Sequence, residues 1–278
     1  MAVLDRMDAA EGIAIFIKMF IIVGGVIALY YLYQFLFKQT AEASVVLFQE
    51  LRNVNQIQAL TKTADQFPPL MEGGEYSVSF WMYVQNWGAR AGYNKHILSI
   101  GSVANGFYTL VVYLGANTNT LHVRVQSADP NTVTGDSATL TNANVGSLFN
   151  NPVIANGPLA NMQGSCDIPN IELQKWTLVN IVLNGKTTDV YIDGKLARSC
   201  VQPSFFRVPS GSYQLTAYNA NGFGGYMANL QVGNVALNPD EANRMYQAGP
   251  IGITSFWDWL RSFFDPTALD NQFYPNMN

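Results

Sequence analysis

The stretch Lys175 to Val201, KWTLVNIVLNGKTTDVYIDGKLARSCV, reads as three strands joined by two tight turns. Asn184-Gly185 and Asp193-Gly194 can take the positive φ angles that two-residue hairpin turns need. Side chains alternate along a strand, so Val190 and Ile192 point to one face and Asp189, Tyr191 and Asp193 to the other. The first strand is apolar on nearly both faces: Trp176, Leu178 and Val182 on one, Val179, Ile181 and Leu183 on the other. Such a strand belongs inside a sheet covered on both sides. The stretch is therefore the middle of an all-β domain.

Working outward, strand patterns recur on both sides. From Glu75, the residues Tyr76, Val78, Phe80, Met82 and Val84 form one apolar face, and Ser77, Ser79, Trp81, Tyr83 and Gln85 the other. Ile97–Ile100, Phe107–Leu114 and Leu121–Gln126 are further strands. Residues 129–170 form a long polar interval with Pro130, Pro152, Pro158 and Pro169, the composition of loops that contact partners. Downstream come strands at Tyr213–Tyr218 and Gly225–Val232. A short helix then opens at Asn238-Pro239-Asp240-Glu241 and runs to Tyr246, with Pro just inside its start and acids in its first turn.

The N-terminal part has a different character. After a polar start at 1–12, Ile13 to Phe37 is apolar except for Lys18 and Gln34. About 20 apolar residues cross a bilayer as a helix. Lys18 near one end can snorkel to headgroups, and Tyr30, Tyr31 and Tyr33 lie where aromatic belts form. The expectation is a single transmembrane helix at 13–37. The stretch is too long for a cleaved signal peptide, and no small-residue cleavage site follows it. A buried soluble helix is the other alternative. Lys and Arg on the two sides do not set an orientation.

Residues 38–71 are expected to be a linker, partly helical, because Leu47, Leu51 and Val54 fall at spacings of three and four. A first strand around Ser44–Gln49 is the alternative. The β domain then occupies 72–250. In the tail, 251–278, Ile253, Phe256, Trp257, Leu260, Phe263 and Phe264 share one helical face before Pro266, and an extended end follows. An aromatic amphipathic helix of this kind can lie in a membrane interface, dock in a partner's groove or pack on its own β domain.

Charged residues make up 12% of the chain against 49% hydrophobic, and the net charge is −4. No cluster of Lys and Arg stands out, so nucleic acid is not an expected partner. Two cysteines and two histidines without paired spacing exclude a closed Cys/His zinc cluster. No cofactor is expected.

Three segments together resemble the concanavalin A-like, or laminin-G-like, jelly-roll family. They are Tyr76 to Val84 with its Ser79-Phe80-Trp81, Trp176 through Asp193-Gly194-Lys195, and Gly224-Gly225-Tyr226 leading to Leu237-Asn238-Pro239-Asp240-Glu241 and Tyr246. Lys95 to Ser99, Cys166 to Asn170, Leu173 to Trp176 and Leu196 to Cys200 are similar to a subset found in large double-stranded DNA viruses, where the domain often follows one N-terminal membrane helix. The resemblance implies a mainly β fold of two stacked antiparallel sheets. It also implies a virion membrane or minor capsid protein, joining other capsid or membrane proteins at the inner membrane. It favours a Cys166–Cys200 disulfide over two buried thiols. Calcium sites occur in the family, and Asp129, Asp136 and Asp167 are candidate ligands, although no dense acidic loop is present.

Some members of the superfold hydrolyse glycans with an E-x-D-x-x-E strand, which is absent here. Asp189 and Asp193 share a strand face but sit ~13 Å apart. Glycosidase pairs need roughly 5–5.5 or 6.5–9.5 Å. Asp193 is also explained by its turn. The chain is therefore expected not to be an enzyme. His96 and His122, in or beside strands, are given no role. Sugar binding is the competing function. Trp81 and Tyr83 on the sheet, and Trp87 and Tyr93 in the following loop, are the rings that could stack on glycans. The alternative for them is packing under a second layer. The chain has no Asn-x-Ser/Thr acceptor, which weighs against an ordinary secreted glycoprotein.

Overall fold

The structure is a computed structural model of the chain and describes residues 17–25, 27–28, 44–55, 59–102, 106–127, 140–152, 159, 165–209, 211–219 and 222–250. The chain divides into two units, 1–42 and 43–278. In the first, residues 17–25 and 27–28 are helical. Among the described residues no helix is long and apolar enough to cross a membrane. The rest of the 13–37 segment lies outside the described residues.

The second unit is mainly β, with two antiparallel sheets. Its strands are β1 (Ser44–Phe48), β2 (Arg52–Asn53), β3 (Leu60–Thr63), β4 (Glu75–Asn86), β5 (Lys95–Ser102), β6 (Phe107–Leu114), β7 (Leu121–Val125), β8 (Cys166–Ile168), β9 (Trp176–Asn184), β10 (Thr187–Ile192), β11 (Lys195–Val201), β12 (Gln214–Ala217) and β13 (Gly224–Gly233). Two helices are α1 (Asn142–Asn150) and α2 (Pro239–Ala248). The larger sheet runs β1-β13-β4-β9-β10-β11, with β2 also on β13; the smaller runs β3-β12-β5-β6-β7-β8.

The core lies between the sheets. Val78, Phe80 and Met82 from β4 and Val179, Ile181 and Leu183 from β9 meet Ile97, Ile100, Leu110 and Val112 of the smaller sheet. The opposite face of the larger sheet is covered too, because α2 brings Met245 against Trp81, Trp176 and Leu178, and Ala242 against Val182 and Tyr191. On the smaller sheet, Val145, Leu148 and Phe149 of α1 pack on Val111 and Tyr113. The sandwich thus has a helix over each outer face.

The central meander is as predicted, with one shift. Asp193 and Gly194 both have positive φ, +51° and +74°. The β9–β10 turn is centred one residue later than expected. Asn184 pairs with Thr187, so Gly185 (φ +57°) and Lys186 form the turn and Asn184 ends the strand. A second correction concerns 38–71. Within its described residues the expected helix is replaced by β1, β2, β3 and one short 3-10 turn at Ala64–Gln66. The spacing of three and four marks no single buried face: Leu47 and Val54 pack on the inter-sheet core, whereas Leu51 packs on the outer cluster beside Trp81, and the alternative, a first strand around Ser44–Gln49, is what forms. Pairing of β1 with β13 outweighs local helix propensity.

Cys166 of β8 and Cys200 of β11 form a disulfide, with Cα atoms 5.8 Å apart. These strands end their respective sheets, so the bond joins the two layers along one side.

Candidate functional site

Of the four rings proposed to meet sugar, two are withdrawn from solvent. Trp81 and Tyr83 are 4% and 7% exposed. Trp81 stacks on Tyr246 of α2, with centroids 5.9 Å apart and planes at 17°. Tyr83 lies 5.5 Å from Trp176 and 6.4 Å from Tyr226. The helix that covers Trp81 is started by its own sequence. Asn238 accepts from the Glu241 N–H (2.8 Å), and the Glu241 carboxylate accepts from the Asn238 N–H (2.9 Å). This reciprocal cap, with Pro239 at the first turn, fixes where α2 begins. The expectation of an open aromatic face through Trp81 and Tyr83 is therefore corrected: Trp81 packs under α2, and Tyr83 is buried between Trp176 and Tyr226 of the flanking strands.

Trp87 and Tyr93 stay half-buried, on the β4–β5 connection at the sandwich rim. Three successive turn bonds shape the connection: Ala89 N–H to Asn86 O, Ala91 N–H to Gly88 O and Tyr93 N–H to Arg90 O. A cation lies over each ring. Lys95 Nζ is 4.1 Å from the Trp87 centroid, and the Arg90 guanidinium is 5.4 Å from that of Tyr93. Lys95 is fully buried and donates to the carbonyls of Ala116 (3.2 Å), Gly115 (3.4 Å) and Tyr93 (3.4 Å). Burial, with Arg90 nearby, lowers the Lys95 ammonium to about 8.

The same connection closes α1. Asn94 donates to Leu148 O (3.1 Å) and Arg90 to Phe149 O, two of the last carbonyls of that helix, which have no partner within it. His96 next to it is buried. Its Nδ1 accepts from the Asn219 N–H (3.0 Å), its Nε2 lies 3.1 Å from Ser99 Oγ, and Phe149 stands edge-on to its ring at 4.9 Å. Burial and the Arg90 charge push the imidazole down to about 3, so it is neutral. Turn bonds, two cations and the α1 carbonyls thus tie the loop down, and both its rings stay half-buried, Trp87 against the inter-sheet core. Sequence reasoning named its aromatic residues but missed Arg90, Asn94 and Lys95. The signal was present in the interleaving of Trp, Arg, Tyr and Lys along 87–95.

The carboxylates have structural partners. Asp167 pairs with the buried Arg124, and its Oδ1 lies 3.0 Å from His122 Nδ1. Burial pushes this carboxyl up, but hydrogen bonds from His122 and Arg124 outweigh it and hold it down at about 2. Asp193 accepts from the Leu178 N–H (2.9 Å), and Asp189 accepts from the Ser199 hydroxyl. Among the described residues no group of three His, Cys, Asp or Glu could hold a metal ion. Asp167, a candidate calcium ligand, is spent on Arg124. Asp129 and Asp136 lie outside the described residues, as do Ile253, Phe256, Trp257, Leu260, Phe263 and Phe264 of the tail.

No family model and no curated protein matches the chain. Among solved structures it is similar to receptor-binding domains of botulinum neurotoxins. One is the serotype G binding domain, at 12% identity and a TM-score of 0.47, covering 79% of this chain and 50% of that one. Another is the serotype D binding domain, at 13% identity and 0.46, covering 74% and 52%. A third is botulinum neurotoxin type C, whose cell entry depends on interaction with two ganglioside molecules, at 11% identity and 0.41, covering 74% and 51%. The chain spans about a third to a half of the length of such structures. Identities this low, with TM-scores below 0.5, carry no ligand or partner over to this chain.

Proposed function

We propose that this chain is a membrane-tethered, non-enzymatic interaction protein. A transmembrane helix at 13–37 holds the β-sandwich beside a bilayer, and the sandwich works by binding other proteins. The observation that supports the tether is the helix at 17–25 and 27–28. Ile17, Met19, Phe20, Ile21, Ile22, Val23 and Ile27 are all at least half exposed, 50% to 81%. At 100° per residue these side chains point in every direction, and a helix apolar all round belongs in a core or in lipid. Leaving seven such side chains in water forgoes on the order of 10 kcal/mol of burial, at ~1.5–3 kcal/mol each. A non-enzymatic role is supported by the structural duties of Asp167, Asp189 and Asp193 and of neutral, enclosed His96. The finer reading is a minor capsid protein linking a virion's shell to its inner membrane. It rests on the sequence resemblance to proteins of large double-stranded DNA viruses.

The test of the tether is flotation of the full-length chain with phosphatidylcholine vesicles, followed by alkaline carbonate. Retention with lipid is the expected result; release without detergent would sink the reading. A membrane-tethered lectin is the second reading. It is favoured by the accessibility of Trp87 and Tyr93 in a pre-ordered rim loop. On that reading Trp87→Ala abolishes binding on a glycan array and Trp81→Ala weakens it only as far as it unsettles α2. Equal glycan binding by wild type and Trp87→Ala would dismiss it.

A further inference from the structure

Val201 and Met71 are 75% and 61% exposed, the two highest values for a large hydrophobic residue among the described residues of the sandwich, and Phe205 is 41% exposed. The three lie together at one end of the larger sheet, where two turns seat the Phe205 ring. Its Cγ and Cδ atoms lie 3.5–3.7 Å from the point where a Cβ on Gly73 would stand, and its Cε1 lies 3.9 Å from the same point on Gly185. The Gly185 N–H donates to Gly74 O (3.3 Å) and the Gly74 N–H donates to Met71 O (2.9 Å), so the two turns are joined. Val201 pairs with Thr187 beside the second turn. Apolar side chains exposed together inside a polar rim mark a contact surface.

The two turns carry opposite charges. Glu72 is exposed on the first, and Glu75 close behind it holds its carboxylate against the Ala236 N–H (2.9 Å). Lys186 is exposed on the second, with its Nζ 5.5 Å from the Phe205 centroid. Phe205 rests the base of its ring on the acidic turn and an outer edge on the basic one. The apolar centre therefore has acid on one flank and a cation on the other.

A surface whose halves carry opposite signs complements itself under a two-fold rotation, because each copy then offers to the other what it receives. A partner of uniform charge would be repelled by one half. We infer that this end of the sandwich is a two-fold contact between two copies of the chain. The Phe205 rings meet near the axis, Met71 and Val201 enclose them, and Lys186 of each copy stands opposite Glu72 of the other. Three apolar side chains fall well short of the ~800 Å² per partner that a stable interface buries, so the contact is weak and grows with protein concentration. Its ion pairs lie at a rim, so salt weakens it. The inference does not depend on the membrane tether.

Mixed-isotope crosslinking tests it. Unlabelled and heavy-nitrogen full-length chains are mixed in detergent micelles at rising protein concentration and treated with a carbodiimide, which joins a lysine to a carboxylate in direct contact. The expected product is a Lys186–Glu72 link between a light and a heavy chain, several-fold more abundant at the top of the concentration range than at the bottom. Lys186→Glu and Glu72→Lys each set like charges against each other across the axis. Either alone should lower the dimer fraction in sedimentation equilibrium several-fold. The two together exchange the flanks and should restore it. Both positions are exposed, so circular dichroism should be the same in all three variants. Links found only within single chains at every concentration overturn the inference. A dimer undiminished by either reversal also overturns it, since the copies would then meet elsewhere, as through the apolar 13–37 segment. So does a folded double exchange that stays as monomeric as the single reversals.

Discussion

His96 shows what enclosure does to a single titratable group. Its ring is buried, Nδ1 is occupied by the Asn219 N–H, and Arg90 adds positive charge. Protonation is resisted down to about pH 3 in the folded chain, whereas an unfolded histidine takes its proton near 6.5. Because the folded value is depressed, the unfolded state binds more protons between those limits. Stability is therefore full above about pH 6.5 and is lost as pH falls towards 3. One proton of difference is worth about 1.4 kcal/mol per pH unit, so a drop from pH 7.5 to 5 should cost about 2 kcal/mol. Urea unfolding at the two pH values measures this. His96→Gln should start lower but lose little more on acidification; an unchanged acid slope in that variant would place the sensitivity elsewhere. Asp167 acts in a separate, lower window, from about 3.8 to about 2, again losing stability as pH falls.

Among the elements, α2 shows how closely a helix and a turn can be matched. Gly194 sits at φ +74°, and a Cβ there would come within 2.9 Å of the Asn243 Cα and 3.1 Å of the Tyr246 Cβ. Gly194→Ala combines left-handed backbone strain with a push against backbone that has no free rotor to yield. About 2–4 kcal/mol of destabilisation is expected. Loss of the near-ultraviolet signal from the Trp81–Tyr246 stack should accompany it; an unshifted urea midpoint with the stack intact would contradict the account. This helix was legible from Asn238, Pro239 and Glu241, as β9 to β11 were from their turns and two-sided apolar pattern. The α1 helix was not. Its sequence, NANVGSLFN, contains poor helix formers, and it is held by the Thr141 cap, by Arg90 and Asn94 at its far end, and by Val145, Leu148 and Phe149 underneath. Those are tertiary partners, distant in sequence. The same limit explains why a strand around Ser44–Gln49 stood only as the alternative to a helix: β1 is decided by its pairing with β13, far away in the sequence. It also explains the four aromatic candidates, since no local pattern says that α2 will cover Trp81 and neighbouring strands enclose Tyr83 while Trp87 and Tyr93 stay at the rim.

At the scale of the whole molecule, the two layers are held by their shared core and, along one side, by a covalent strap. Strand β8 is three residues long and pairs with β7 through Leu121–Ile168, His122–Asp167 and Val123–Cys166. So short an edge strand would fray if pairing alone held it. Further attachments hold it: the Asp167–Arg124 ion pair fixes it to its own sheet, and the Cys166–Cys200 bond, with the Arg198 guanidinium donating to the Asp167 carbonyl (2.8 Å), fixes it to the other. The bond closes a loop of 34 residues. Loop entropy then assigns it about 3–4 kcal/mol. Cys200→Ser should lower the unfolding free energy by about that amount. It should also raise amide exchange at 166–168 before it does so in β4 or β9, because the core beneath those strands is untouched. Global unfolding without this local step would mean that β8 is held by its neighbours and that the strap serves the sandwich as a whole. A bond of this kind persists in an oxidising space and not in reducing cytosol. Non-reducing mass spectrometry of the peptides containing Cys166 and Cys200 checks the strap directly: a linked pair is expected, and two free thiols would mean that the chain was drawn from a reducing space and that β8 is held without the bond.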